Sequence, residues 1–465
     1  MNNEEVRKFF HETSVNVRDN VLLREPQREA YRAIVEHVHG GGGSSYVQLP
    51  VGCGKTGVMG LAPFGVADGR VLIVAPNITV RDTILRELDV SNPDCFYAKR
   101  GVFKPVAGPF VSVLKPGANV HDCDNAHIVV SNIQQFVGAT NKWYEKLDPD
   151  YFKMILVDEG HHNVAESWRR LFEYFEGAEV ISFTATPVRS DGQQVQGDKI
   201  YSYTYTRAML MGFISPVDAV YVAPETLSFT AKGKSETIPL DEVLKMREHD
   251  WFSKGIALSE ECNRHIVQAS IQQLSEVKRH GTPRQIIAAA CSIRHATQVR
   301  ALFHEHGLVA EVLHSNLDAE EKARIEAGLR QGIVDVVVQV QMLGEGYDLA
   351  TLSVAAVFRP YRSLSPYIQF VGRILRLANP ASAGSSANKV YVVSHVGMND
   401  ERWWEDFRNF DKEDQLLFSE MLQASEVEGG GGAPRMTLRP FMQVVSETVD
   451  KYLQQIVFFL IIFLH

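Results

Sequence analysis

Cysteine is scarce and scattered in this chain of 465 residues: Cys53, Cys95, Cys123, Cys262 and Cys291 form no C-x-x-C pair, and no histidines gather at zinc spacing. That pattern excludes a disulfide framework and reads as a set of reduced thiols. His121-Asp122-Cys123-Asp124 mixes ligand types, but its neighbours make it a polar turn. An excess of positive charge is missing too, since 47 Lys and Arg face 56 Asp and Glu for a formal net charge of −9. Any nucleic acid must therefore be held in a local groove, without a bulk basic field. Long apolar runs are absent. Ile456 to Leu464 is uninterrupted, but a spanning helix needs about 20 such residues. That run reads as a strand or helix short of its partner, so the chain's end is expected to be incomplete or atypical. The opening MNNEEVRKFFHE lacks the apolar core of a secretory signal. A cytoplasmic or nucleoid-associated protein with no membrane role is expected.

What is present is ordinary globular material: 45% hydrophobic and 22% charged residues, at a length that suggests two or three domains. Glu25 to His39 places Ala30, Ile34, Val35 and Val38 on one helical face, with Pro26 in the first turn. Gly40 to Ser44 ends that helix. Apolar strands and helices then alternate. Strand-like runs fall at Ser45–Leu49, Arg70–Pro76, Ala126–Ser131, Met154–Glu159 and Val180–Thr184, with a helix over Thr79–Leu88. Continuous apolar strands alternating with helices indicate a parallel sheet covered on both faces. A second series begins near Arg284. Its strands are Gln285–Ala290, Ala310–Leu313, Val334–Val340, Ser353–Phe358 and Lys389–Ser394; its helices are Ile293–His306, Asp318–Leu329 and Tyr367–Leu377. Arg207 to Glu261 connects the two series, with Ala231 to Ser235 as a surface loop. After Gly397 comes a charged, Trp-bearing helical stretch, and Gly429 to Gly432 read as a linker.

Only the first series carries a glycine-rich loop, Leu49-Pro50-Val51-Gly52-Cys53-Gly54-Lys55-Thr56-Gly57. Gly52 and Gly54 let backbone N–H groups turn toward phosphate oxygens, and the helix that follows adds its positive end. Lys55 can reach the β and γ phosphates, and the Thr56 hydroxyl can bind Mg²⁺. Leu49 stands where the full eight-residue pattern has Gly. A hundred residues on, Met154-Ile155-Leu156-Val157 ends in Asp158-Glu159. At that strand end Asp158 can hold Mg²⁺ and Glu159 can orient and deprotonate an attacking water. Asn163 and Glu166 have capping-box spacing for a helix just after the site.

Asp158-Glu159-Gly160-His161 resembles motif II of the superfamily 2 helicases of the DEAD/DEAH kind, in a variant with Gly third. Thr184-Ala185-Thr186-Pro187 resembles their motif III in the form found in restriction-enzyme motor subunits. Gln369-Phe370-Val371-Gly372-Arg373-Ile374-Leu375-Arg376 resembles motif VI, Gly344 to Asp348 motif V, and Val74-Ala75-Pro76 motif Ia. Leu23 to Gln27 resembles the adenine-reading element upstream of the phosphate loop. The resemblance covers about Leu22 to His395, with the motifs in family order, and this superfamily commonly keeps only the inner glycines of the loop.

The resemblance implies an α/β fold of two tandem RecA-like parallel-sheet domains with an ATP cleft between them, plus a short, mainly helical C-terminal extension. The expected divisions are 1–206, a connecting segment 207–261, 262–397 and an extension 398–465. Lys55, Asp158, Glu159, Arg373 and Arg376 are the expected catalytic residues, the two arginines lying three apart on one helical face as fingers for the γ-phosphate. Arg24, Gln27, Gly52, Gly54, Lys55, Thr56, Gly346 and Asp348 are expected at ATP, with Gln27 on the adenine edge and Thr56 and Asp158 at Mg²⁺. His161, Thr184, Thr186 and Gln369 would relay the nucleotide state. Pro76, Asn77, Ser131, Asn132, His314 and Ser315 are candidates for gripping nucleic-acid phosphates, which fix position without reading sequence. The expected activity is an ATP-dependent helicase or translocase on DNA ahead of RNA, with a nuclease or other effector subunit as a further partner. Two alternatives stand beside it: an ATPase that tracks duplex or senses nucleic acid without separating strands, and a P-loop switch that gates a protein. Retention of the six residues Lys55, Thr56, Asp158, Glu159, Arg373 and Arg376 argues against a scaffold without catalysis.

Overall fold

The computed structural model describes residues 1–103, 108–136, 143–159, 166–185, 195, 197–279, 283–340, 349–362, 364–378, 388–404, 442–449 and 451–455. These divide into two compact units, one made from residues up to Thr204 and one from Tyr205 onward. The segment 207–261 therefore belongs to the second unit and does not stand apart as a connector.

The first unit is built on seven strands: β1 (Ser45–Gln48), β2 (Val71–Ala75), β3 (Val111–Val113), β4 (Ile128–Asn132), β5 (Met154–Asp158), β6 (Glu179–Thr184) and β7 (Asp198–Ser202). Their order across the sheet is β3-β4-β2-β5-β6-β1-β7, and every neighbouring pair is parallel. Strands β2, β4 and β5 are buried along their whole length, as their unbroken apolar runs require. One side of the core gathers Leu72, Val129, Ile155, Trp168, Leu171 and Phe175. Because the strands run the same way, their carboxyl ends share one edge. Gln48 lies opposite Thr184, Asp158 opposite Phe183, and Ala75 opposite Asn132. Each phosphate-loop or motif segment leaves the sheet there.

In the second unit the strands are β8 (Val217–Ala223), β9 (Thr226–Ala231), β10 (Lys234–Pro239), β11 (Gln285–Ala289), β12 (Ala310–His314), β13 (Val336–Val340), β14 (Leu352–Val357), β15 (Val390–His395), β16 (Met442–Thr448) and β17 (Lys451–Gln455). Seven form a sheet in the order β12-β13-β11-β14-β15-β8-β17. It is parallel except for β17, which runs antiparallel along β8. A separate antiparallel sheet is ordered β10-β9-β16. The stretch expected as a surface loop at Ala231–Ser235 is the tip of the β9–β10 hairpin. Lys232 and Gly233 take φ of 50° and 77°, the left-handed pair that a two-residue hairpin turn requires.

The described part of the C-terminal extension holds strands as well as a helical turn. Glu401–Trp404 is helical, but the described residues beyond it are the strands β16 and β17. Val444, Val445 and Thr448 favour a pleated surface, and alternation of period two is visible only once β9 and β8 are known to lie alongside. The arginine-bearing helix is shorter than expected. It spans Leu364–Val371 and tightens into a 3₁₀ turn over Gly372–Ile374, where Gly372 is poorly suited to continue an α-helix. Arg376 therefore lies beyond the last helical turn, and the two arginines do not share one continuous helical face. His121–Asp124 falls within a short helix, Val120–Asp124, with Cys123 buried. No helix among the described residues is long and apolar enough to cross a membrane.

Candidate nucleotide site

The phosphate loop follows β1. Gly52 and Gly54 adopt φ of 91° and 87°, which only glycine accepts without strain, and the helix Lys55–Leu61 starts at once. A side chain at Gly54 or Gly57 would collide with the Gln27 amide, and at Gly57 also with the Phe96 ring. These glycines thus keep the loop open to close packing from outside the sheet. Cys53 is fully buried, and burial pushes its thiol up to about 12.

Asp158 ends β5 and is almost wholly buried. The chain then turns sharply: Glu159 sits at φ 54° and its N–H donates to Asp158 Oδ1 at 3.1 Å. A left-handed glutamate is uncommon and marks a strained turn. That turn carries the Glu159 carboxylate to the Lys55 ammonium, and the two form an ion pair. Burial works against the charge on Lys55, but Glu159 and Asp158 outweigh it and raise its pKa. Thr56 and Asp158 offer hydroxyl and carboxylate oxygens beside this pair, the donor type a hard cation such as Mg²⁺ takes, so the residues present fit that ion.

Gln27, on the helix Glu25–His39, is buried and uses both ends of its amide within the chain. Its oxygen accepts from the Arg24 N–H at 3.0 Å, and its nitrogen donates to the Gly54 carbonyl at 3.2 Å. Arg24 donates to the Gly52 carbonyl, and its pKa is lowered by burial and then by Arg100. The upstream element is therefore bonded directly to the loop. Thr184 ends β6, fully buried, and its carbonyl accepts from the Leu49 N–H at 2.9 Å.

Along the same edge, Asn77 caps the helix Ile78–Leu88 by accepting from the Val80 N–H. Two further side chains, those of Arg81 and Gln134, tie this region together. Buried Arg81 donates to Asn132 Oδ1 at 3.1 Å, and Gln134, itself bonded to Asn132, donates to the Pro76 carbonyl at 3.0 Å. An Arg within an amphipathic helix carries no signal of such a role. Ser131 is a correction: its side chain is fully buried, with its hydroxyl toward the Leu114 carbonyl at 3.4 Å, so it cannot offer that hydroxyl to a bound strand.

In the second unit, Gln369 lies on the helix Leu364–Val371, Arg373 in the 3₁₀ turn, and Arg376 just past it. Ser215 holds that segment, its N–H donating to the Leu375 carbonyl at 2.6 Å and its hydroxyl to the Arg376 carbonyl at 2.9 Å. His314 ends β12, and Ser315 follows in a turn whose carbonyl accepts from Lys322. His161, Thr186, Gly346 and Asp348 lie outside the described residues, as do the Asn163 cap, Gly429–Gly432 and the apolar run from Ile456.

Among the described residues, Cys262, His395 and Glu447 have metal-ligand chemistry in a buried cluster. Its hydrogen bonds argue against a metal. His395 Nδ1 faces the Gly397 N–H at 2.9 Å and must accept. Nε2 therefore carries a proton and donates to Glu447 Oε2 at 3.0 Å. His265 at 2.6 Å and the Cys262 thiol at 3.4 Å complete the shell of this carboxylate.

A parallel sheet with a phosphate loop after one strand and an Asp-Glu pair after another defines a P-loop nucleotide-binding domain of RecA-like fold. Residues 20–189 match the family model of the type III restriction enzyme res subunit, and residues 267–378 match that of the helicase conserved C-terminal domain. These two matches, with the relatives below, support a superfamily 2 helicase, restriction-enzyme-like in its first domain.

Saccharomyces cerevisiae IRC3, an ATP-dependent helicase by name, is 23% identical over 394 residues, covering 81% of this chain and 52% of that protein. The DNA 3'-5' translocase XPB2 of Sulfurisphaera tokodaii is 23% identical over 419 residues, covering 80% and 85%. A fragment named as an HsdR subunit of a type I restriction enzyme from Vibrio vulnificus shares the fold at a TM-score of 0.56 and 18% identity, covering 87% of this chain and 68% of that one. The chain spans about half the length of IRC3, and 61% and 53% of proteins from a Sulfolobus islandicus filamentous virus and a Lactococcus phage.

Proposed function

We propose that the protein hydrolyses ATP under the control of a nucleic-acid strand and acts as a helicase or translocase, with DNA ahead of RNA as its track. The observation that carries this reading is the Lys55–Glu159 pair beside Asp158, at the strand ends where the phosphate loop also leaves the sheet. ATP entering the loop would draw Lys55 away to its β and γ phosphates. Glu159, released, would orient a water and take its proton as the water attacks the γ phosphorus and the β–γ bridging oxygen leaves with ADP. Thr56 and Asp158 would hold Mg²⁺, which neutralises phosphate charge when bound. Arg373 and Arg376 would meet charge on the transferred phosphoryl group, and Gln27 would exchange its bond to Gly54 for the adenine edge.

Binding and release of nucleotide would close and open the two units on the strand, held through phosphates near Pro76, Asn77 and Asn132 and near His314 and Ser315. The XPB2 relative, a DNA translocase by name, supports a DNA track, and the restriction-subunit match supports a nuclease or other effector chain as partner. The test is steady-state ATP hydrolysis with no polymer, single-stranded DNA, duplex DNA and RNA, with Glu159→Gln as the blank. Stimulation by one polymer supports the motor and names its track. A live basal rate that no polymer changes would transfer the reading to a switch that gates a protein.

A further inference from the structure

We propose that Asp400, which lies outside every motif named above, is a positioning residue for the helix that carries Gln369 and leads into Arg373. The inference rests on the ATPase reading. Asp400 is buried just after β15, behind Asn399 in a left-handed turn at φ 60°. One carboxylate oxygen accepts from the Tyr361 N–H at 3.0 Å and the other from the Ser394 hydroxyl at 3.1 Å. The Tyr361 carbonyl is bonded as well, by the Trp403 indole N–H at 2.9 Å.

Residues 400–403 thus grip both backbone polar groups of a single loop residue between β14 and the helix. The Tyr361 ring passes this constraint on. It meets Tyr367 edge-on at 5.5 Å and stacks on Phe370 at 6.0 Å. Both rings belong to the helix Leu364–Val371, where Gln369 lies beside Phe370. Asp400 therefore sets where Tyr361 stands, and Tyr361 sets how the helix seats before Arg373.

A carboxylate is the strongest acceptor for this task, because hydrogen bonds to an ionised group are roughly twice as strong as neutral ones. Burial raises the Asp400 pKa to about 7, and the bonds from Tyr361 and Ser394, with Arg402 and Arg359, offset burial only in part. Tyr221, Tyr367 and Cys291 also face it and stay neutral, each raised by burial. The ionised and protonated forms therefore exchange near neutral pH, and the tighter grip belongs to the ionised form.

The test compares wild type, Asp400→Asn and Asp400→Ala in the full chain. Without nucleotide, hydrogen exchange is read at the Tyr361 amide and across residues 364–371. Asp400→Ala should speed exchange at both while the sheet strands stay protected. Exchange as slow as wild type overturns the proposal even if wild type hydrolyses no ATP, an outcome that would instead sink the ATPase reading.

With a stimulating polymer, Asp400→Ala should lower kcat roughly tenfold to a hundredfold with little change in KM, as misplacement of a catalytic group does. Wild-type kcat should rise with pH through about 7, and Asp400→Asn, which keeps the shape but cannot ionise, should flatten that rise. Identical pH profiles for wild type and Asp400→Asn overturn the proposal, and they decide it should the alanine variant not fold.

Discussion

Lys55 and Glu159 are ion-paired across the ends of β1 and β5, two strands separated in the sheet by β6. In the proposed function the cation that would meet phosphate and the carboxylate that would handle water neutralise each other, and ATP would separate them. Lys55 remains charged throughout the neutral range, because Glu159 and Asp158 together outweigh the cost of its burial. A group whose folded pKa is raised contributes stability below its unfolded pKa and loses it only as pH climbs through the folded one. Nucleotide binding should therefore show no loss of the lysine's charge between pH 6 and 9.

Glu159→Gln removes the proposed base and keeps the size. Turnover should fall by roughly a hundred- to ten-thousandfold, the usual worth of a general base, while ATP stays bound. Lys55→Ala should do the reverse at the first step and weaken nucleotide binding. Retained ATP after rapid filtration, alongside single-turnover rates, separates the two. Wild-type turnover in Glu159→Gln would remove Glu159 from the role of base.

Cys53 offers a check on the loop that needs no activity. It is buried at the centre of the glycine-rich turn with its thiol held up to about 12. Since the thiolate is the reactive form, Cys53 should resist a maleimide or disulfide reagent at pH 8 in the folded chain and react once the chain is denatured. Peptide mapping of the labelled cysteines reads the result. Fast labelling of Cys53 in folded protein would mean that the loop does not hold this conformation.

Five of the seven sheet strands in each unit were legible because a strand buried on both faces must be apolar along its length, and Val71–Ala75 or Val336–Val340 have no other reading. The phosphate loop and Asp158-Glu159 were legible because their chemistry fixes residue type and order. What stayed hidden depends on partners distant in sequence. Strand β8 lies in a stretch that looks like a connector, and its place beside β15 is set by pairing, which local pattern does not contain. Val111–Val113 is too short to stand out. Arg81 carries no motif, and only the fold brings it to Asn132. Arg373 and Arg376 were correct as neighbours but not as one helical face, because Gly372 tightens the helix between them and its start.

Glu447 reports on the docking of β16. Its carboxylate is fully buried between His265 and His395. Burial alone would raise its pKa, but its contacts with His395 and His265 hold it at about 2. Its contribution should be present above pH 4.5 and fade as pH falls toward 2. His265 is raised above 6.5 by its bond to Glu447, so its share is complete below 6.5 and fades as pH rises through the raised value. The docking should thus be strongest between those limits. Glu447→Ala should cost about 3–5 kcal/mol, the usual penalty for breaking a buried pair, with the largest loss of melting temperature near pH 5.5. Addition of Zn²⁺ or a chelator should leave wild-type melting unchanged, since the His395 nitrogen aimed at Glu447 carries a proton.

Arg376 allows the finger assignment to be tested without breaking the fold. Its side chain is exposed, while Ser215 fixes its backbone through the Leu375 and Arg376 carbonyls. Arg376→Ala leaves those backbone bonds intact, so melting temperature should shift little. If the guanidinium acts on charge that develops during phosphoryl transfer, kcat should fall by on the order of a thousandfold, with KM for ATP close to wild type. A ground-state contact with ATP would raise KM and leave kcat in place. Arg373, half-buried in the 3₁₀ turn beside Tyr361, should lose stability as well as rate on the same substitution. Steady-state kinetics and melting curves for the two variants side by side therefore tell the catalytic share of each arginine from its share in holding the turn. An Arg376→Ala enzyme with wild-type kcat would leave Arg373 as the only finger.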